Sequence, residues 1–276
     1  MRNFILIQIF IIATSIIGIL KAQIAIAPSF VFVDENSGVG NVYVSNNSDK
    51  AYEVSVNFVF GYPGSDADGN LVMNYTDSIS SAKYALDPMI RAFPRSFVLK
   101  GGEQRTVRLQ VIPAERRKEG YFFTRMKVLA KPQTADVTEP VTTGIGTKIN
   151  FNFEQITAVF YHKGKVSTSV EVKELDLRQN EKMLEIRPLL LRTGNSPFLG
   201  SMTAKLKDGN GKVVSETQST TTVYFEEIRR MDLKLDNVTP GTYTLEFSLE
   251  TQRSDMLASD LVQAPRIIKI KTIDIK

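Results

Sequence analysis

Along most of this chain, apolar and polar positions alternate in short runs broken by turn residues, and the clearest run lies near the middle. In Gly144–Phe160 (GIGTKINFNFEQITAVF) the apolar side chains Ile149, Phe151 and Phe153 are separated by Lys148, Asn150, Asn152 and Glu154. A period of two puts one set of side chains on each face of a strand. Such a strand either closes its own sheet or lies at an edge and lends its apolar row to another chain.

The same alternation recurs with turn residues every ten or so positions, which predicts an all-β chain. Ile24–Val33 reads as a first strand, bent or broken at Pro28. Asn41–Ser45 leads into the polar turn Asn46-Asn47-Ser48-Asp49, and Tyr52–Phe60 returns. Gly61–Asn70 is a hairpin loop, Phe97–Leu109 a strand, a Gly101-Gly102 turn and another strand, and Gly120–Leu129 one more. Lys131–Thr143 has no apolar row and reads as an exposed loop. The pattern pauses at His162–Lys165, where a domain junction is placed. Beyond it, strands are expected over Val166–Leu177, Met183–Leu191, Ser201–Lys207, Lys212–Glu216, Arg230–Leu235, Tyr243–Glu250 and Ile267–Ile275. The expected organisation is two immunoglobulin-like β-sandwich domains, 23–163 and 164–276.

Residues 1–22 read as a cleaved secretory signal: Arg2, an apolar run from Phe4 to Leu20, then Lys21-Ala22 before Gln23. An uncleaved anchor is the alternative, because that run is near the minimum for spanning a bilayer. The whole chain carries a formal charge of +4, reduced to +2 once Arg2 and Lys21 leave with the signal. That is too near neutrality to point to nucleic acid or an anionic membrane. The chain has 0 Cys and 1 His, so disulfides, thiolate chemistry, Cys-based zinc sites and multi-histidine metal sites are excluded.

Other motifs have ordinary explanations. Asp66-Ala67-Asp68-Gly69-Asn70 has calcium-loop character but reads as a hairpin turn, as does Asp208-Gly209-Asn210-Gly211. Arg116-Arg117-Lys118 reads as a solvated loop, Glu226, Glu227, Arg229 and Arg230 as a surface charge run, and Tyr121-Phe122-Phe123 as core on a central strand. His162 reads as structural or solvated. No Ser-His-Asp arrangement, phosphate loop or catalytic carboxylate pair is present, so the chain is read as non-enzymatic, with no cofactor, metal or small-molecule substrate.

Across 24–163 the order of Val33-Asp34, Val42-Tyr43-Val44-Ser45-Asn46, Pro94-Arg95-Ser96-Phe97-Val98-Leu99, Thr106-Val107-Arg108-Leu109, Glu119-Gly120-Tyr121-Phe122 and Val159-Phe160-Tyr161 resembles the N-terminal domain of PapD-like periplasmic pilus-assembly chaperones. The resemblance implies that the last strand of the first domain is lent to an incomplete subunit, with Ile149, Phe151 and Phe153 as its client-binding row. It also implies a basic pair for the client's C-terminal carboxylate. Those positions fall here on Phe30 and Ala158, so the pair is missing. The expected function is a periplasmic chaperone that caps secreted or surface-assembled subunits. The alternative is a structural or adhesive component of an outer-membrane or secretion complex.

Overall fold

A computed structural model of the chain describes residues 23–112, 119–133 and 151–276. The expected signal over 1–22, the cluster Arg116–Lys118 and the segment carrying Lys148 and Ile149 lie outside the described residues. The described residues form an all-β molecule of two sandwiches, as the alternation predicts.

In the first sandwich one sheet has the order β1-β3-β9-β7, built from β1 (Ile24–Ala27), β3 (Val39–Asn46), β9 (Gln104–Val111) and β7 (Ile90–Phe93). The facing sheet has the order β2-β11-β10-β4-β8, from β2 (Phe30–Val33), β11 (Phe153–Lys163), β10 (Gly120–Pro132), β4 (Tyr52–Val59) and β8 (Ser96–Leu99). The expected single strand Ile24–Val33 is therefore two strands in opposite sheets. Pro28, which has no N–H to give to a ladder, sits where the chain crosses between them. The strands flanking Gly101-Gly102 likewise divide between sheets, with β8 on β4 and β9 on β3.

Alternation decides what fills the interior. Along β3 the even positions Val42 and Val44 are fully buried while Asn41 and Tyr43 point out. These side chains pack against Val107 and Leu109 of β9 and Val54, Val56, Met126 and Val128 of the facing sheet. The second sandwich repeats the scheme. One sheet is β12-β13-β16, from β12 (Thr168–Gln179), β13 (Met183–Gly194) and β16 (Glu226–Ile228), with β17 (Met231–Lys234) also on β13. The other is β15-β14-β18-β19, from β15 (Val213–Val223), β14 (Phe198–Lys207), β18 (Gly241–Glu250) and β19 (Ile267–Ile275). Phe198, Phe247, Leu184 and Ile186 lie at its centre.

Two features depart from the strand-only reading. The expected loop Gly61–Asn70 belongs to a separate hairpin of β5 (Tyr62–Ser65) and β6 (Leu71–Asn74). A seven-residue helix, Ser78–Tyr84, follows it. Asp77 caps this helix by accepting from Ser80 N at 2.9 Å, and its other carboxylate oxygen accepts from Tyr62 Oη at 2.7 Å. About two apolar-poor turns are too short for a helical period to show in the sequence.

The polar turn after β3 is held from inside. Asn46 is 1% exposed, and its Nδ2 donates to the carbonyls of Lys50, Leu99 and Lys100 while Oδ1 accepts from Ser48 N and Oγ. Asn46→Ala leaves these groups unsatisfied and is expected to lower the unfolding free energy by about 2–3 kcal/mol in urea titrations. A loss under about 0.5 kcal/mol would contradict this account of the turn.

Candidate functional site

β11 is paired unequally on its two sides. Toward the sheet interior it is hydrogen-bonded to β10 along its length, from Gly120↔Lys163 to Ala130↔Phe153. On its outer side β2 runs parallel to it only from Ala158↔Phe30 to Tyr161↔Val33. Among the described residues no strand covers the outer side of Phe153–Thr157. Gln155 Nε2 reaches across, donating to Ile26 O at 3.3 Å.

The described members of the apolar row behave differently. Phe151 lies just before the strand and is 64% exposed. Phe153 is half-buried, packs on the first core and meets Tyr52 edge-to-face at 5.7 Å. Ile149 is outside the described residues. Ile156, on the opposite face of β11, is 42% exposed and was not singled out from the sequence. Its even spacing from Ala158 and Phe160, against the odd spacing of Phe151 and Phe153, is the signal that both faces carry apolar groups.

Phe30 and Ala158 are direct register partners. Ala158 is buried, and Phe30 lies under the guanidinium of Arg253, whose Cζ is 5.1 Å from the ring centroid. Arg253 comes from the second sandwich and is held by the Asp255 carboxylate at 2.6 and 2.8 Å. On the other side of Ala158, Arg125 of β10 donates through Nε to Gly61 O at 3.2 Å. Two arginines thus stand near the positions where the expected pair is missing, neither from β2 or β11.

Beyond the open edge, the rest of β11 runs into the junction of the two sandwiches, which is itself an apolar core. Tyr121 and Phe123 of β10, with Ala158 and Phe160 of β11, face Leu199, Tyr224 and Leu261 of the second sandwich. Phe123 meets Tyr224 edge-to-face at 4.6 Å, and Tyr62 meets Phe225 at 4.8 Å. Phe122, between the two junction residues, points into the first core. The aromatic run Tyr121–Phe123 therefore serves two cores. Arg192 stacks between Tyr84 and Phe225, its Cζ 5.2 Å from each ring, and donates to Tyr84 Oη at 3.1 Å.

The charge run Glu226–Arg230 is not wholly on the surface, contrary to expectation. Glu227 and Arg229 are 6% and 9% exposed and pair at 2.9 Å. The reason is the β5–β6 hairpin, which lies over them: Ser65 Oγ accepts from Ile228 N at 3.0 Å, Arg187 Nη2 donates to Ala67 O, and a Cβ on Gly69 would touch the Arg229 backbone. The turn expected at Asp66–Asn70 caps that hairpin, Asp66 Oδ1 accepting from the N–H groups of Asp68 and Asn70. Asp208 does the same for Asn210 and Lys212. His162, at the end of β11, stacks on Tyr121 and places Nδ1 3.2 Å from Glu35 Oε2. Among the described residues no group of three or more His, Asp or Glu is placed to hold a metal.

No protein-family model matches the chain, and no curated protein matches it. Among solved structures it is similar to the YadV chaperone, at 10% identity over 89% of this chain and 100% of that one, with a TM-score of 0.47. It is also similar to the Salmonella enterica SafB chaperone in complex with the SafA pilin, at 12% identity over 92% and 99% with a TM-score of 0.43. The Pseudomonas aeruginosa CupB2 chaperone is similar at 9% identity over 90% and 100%, with a TM-score of 0.41.

Burial pushes the Glu227 carboxyl from 4.5 up to about 7, the Arg229 guanidinium pulling it down by less. The folded chain therefore holds a proton that the unfolded chain has released between those values, and the contribution of Glu227 to stability is lost as pH rises through that window. Glu227→Gln is expected to remove this component. The difference in unfolding free energy between the two proteins, measured by urea titration, should change between pH 4.5 and about 7. A difference constant across the window would contradict the burial argument.

Proposed function

We propose that this chain is a non-enzymatic, chaperone-like protein that binds an exported or surface-assembled subunit by strand addition along the outer side of β11. The observation that carries the reading is the edge Phe153–Thr157, uncovered among the described residues, with Phe151 exposed beside it and Ile156 exposed on the opposite face. An incoming strand would satisfy the main-chain groups of that edge, and the exposed side chains would enter its pockets. Burying Phe151 in such a partner is worth roughly 1.5–3 kcal/mol. Phe153, committed in part to Tyr52, anchors the strand to its own sandwich. Ile149 completes the proposed row. The sequence resemblance to pilus-assembly chaperones supplies the partner class and the periplasmic setting, and the similar SafB structure is of a chaperone in complex with a pilin. The two sandwiches are taken as the domains 23–163 and 164–276.

A second reading, a fixed structural or adhesive component of an outer-membrane or secretion complex, is favoured by one observation. Phe30 and Ala158 are themselves apolar, and of the two arginines near them Arg253 is already paired with Asp255 while Arg125 donates to Gly61 O.

Native purification of the mature protein from the periplasm, with co-purifying chains identified by mass spectrometry, separates the readings. Capping predicts a soluble, roughly stoichiometric subunit, and Phe151→Ser should cut its recovery about tenfold or more while the thermal midpoint stays unchanged. Undiminished recovery with the variant equally folded would sink strand addition at this edge. Recovery only within a membrane assembly would favour the second reading.

A further inference from the structure

The second sandwich has an edge of its own. β19 pairs with β18 from Ile267↔Leu249 to Ile275↔Gly241, and among the described residues no strand pairs with its other side. Gln179 of β12 shows which main-chain groups face that side. With its amide turned to satisfy both atoms, it donates to Asp274 O at 3.2 Å and accepts from Lys276 N at 2.9 Å. Main-chain groups on an antiparallel strand alternate sides residue by residue, so the N–H and C=O of Ile268, Ile270 and Thr272 point the same way. Gln179 caps the end of this row, and the stretch Ile268–Thr272 is left open among the described residues.

The side chains of this stretch differ between the two faces of the strand. On the outer face Ile268 and Ile270 are 46% and 67% exposed. Their register partners on β18 are Ser248 and Glu246, and Glu246 is already paired with Lys207 at 2.6 Å and with Arg266 at 3.5 Å. On the inner face Ile267, Ile273 and Ile275 pack on the second core, but Lys269 and Lys271 between them are exposed. Lys271 Nζ donates to Leu175 O at 3.2 Å. Lys269 pairs with no carboxylate among the described residues. The open stretch thus offers apolar groups on one face and uncompensated positive charge on the other.

We propose that β19 receives a strand of a protein partner in which apolar and acidic residues alternate, the apolar ones beside Ile268 and Ile270 and the carboxylates beside Lys269 and Lys271. Main-chain bonds to the open stretch supply the pairing, and opposite charges on neighbouring strands add to it. The lysines argue against a second copy of this chain as the occupant. To match Ile268 or Ile270 with Ile270 of another copy, an antiparallel pair must set Lys269 opposite Lys269 or Lys271, and like charges directly opposite destabilise. The charges that blunt the edge against its own kind therefore select a partner of the opposite sign. The inference does not rest on strand addition along β11, which lies in the other sandwich, and each stands or falls separately.

The test is a titration of the full mature protein with a short acetylated and amidated peptide alternating valine with glutamate, followed by amide chemical shifts in NMR. The same peptide with lysine in place of glutamate serves as the counterpart. The expected result is saturable shifts at Ile268, Ile270 and Thr272 with a dissociation constant of about 1 mM for the glutamate peptide, and none for the lysine peptide. Ile270→Ser should weaken binding about fivefold. Lys269→Glu combined with Lys271→Glu should weaken the glutamate peptide about tenfold or more and let the lysine peptide bind instead. The proposal would be overturned by the absence of saturable shifts on β19, by equal affinity for the two peptides, or by an unchanged preference in the folded double variant. Shifts on β19 that follow protein concentration without peptide would mark a second copy as the occupant and would overturn it too.

Discussion

The contact between Phe123 of the first sandwich and Tyr224 of the second, 4.6 Å between centroids, is the one on which the rest of the arrangement depends. It makes β10 a strand buried on both faces, with Phe122 and Met126 in one core and Tyr121 and Phe123 in the other. A strand in that position cannot rotate or slip without emptying two cores. Because β11 is laddered to β10 along its whole length, its position is fixed too. The open outer side of Phe153–Thr157 is thereby held rigidly on the same strand as the junction residues Ala158 and Phe160.

The junction also sets where charge is tolerated. Glu227 and Arg229 are buried because a hairpin from the first sandwich closes over them, and they survive burial by pairing with each other. Arg192 is held by two ring faces and a phenol oxygen, Arg253 by Asp255 and the Phe30 ring. Such groups add directional contacts to an apolar interface. An interface that is both apolar and directionally pinned resists the relative motion expected of loosely joined domains. Rigidity at this point suits the proposed presentation of an edge strand, because it lowers the entropic cost of binding.

Much of the fold was legible because alternation is a direct image of a strand's two faces. Val42, Val44, Val107 and Leu109 were readable as core from spacing alone, and so was the all-β class. Phe30 and Ala158 entered through the resemblance, as the positions of a missing basic pair; that they are register partners is seen only in the β2–β11 ladder. What stayed hidden was whatever depends on a second unit folding back on the first. Tyr121-Phe122-Phe123 reads as one core run, since three buried neighbours in a row give no sign that two different cores receive them. Glu226–Arg230 reads as surface, since nothing local announces that Ser65 and Gly69 will cover it. Arg253 stands more than two hundred residues from Phe30 in sequence. Ile156 was visible in principle, as an apolar residue out of phase with Phe151 and Phe153.

The central claim is that the outer side of β11 is open from Phe153 to Thr157 and closed from Ala158 to Tyr161. Hydrogen exchange on the purified protein alone, resolved to single amides, tests it most directly, because strand amides that lack a partner exchange by local fluctuation whereas doubly laddered ones require larger openings. The account predicts that the outward-facing amides among Phe153–Thr157 exchange at least about a hundredfold faster than those of Ala158–Tyr161, a difference of roughly 3 kcal/mol in opening free energy. Uniform protection from Phe153 through Tyr161 would mean that the edge is already covered, and would contradict it.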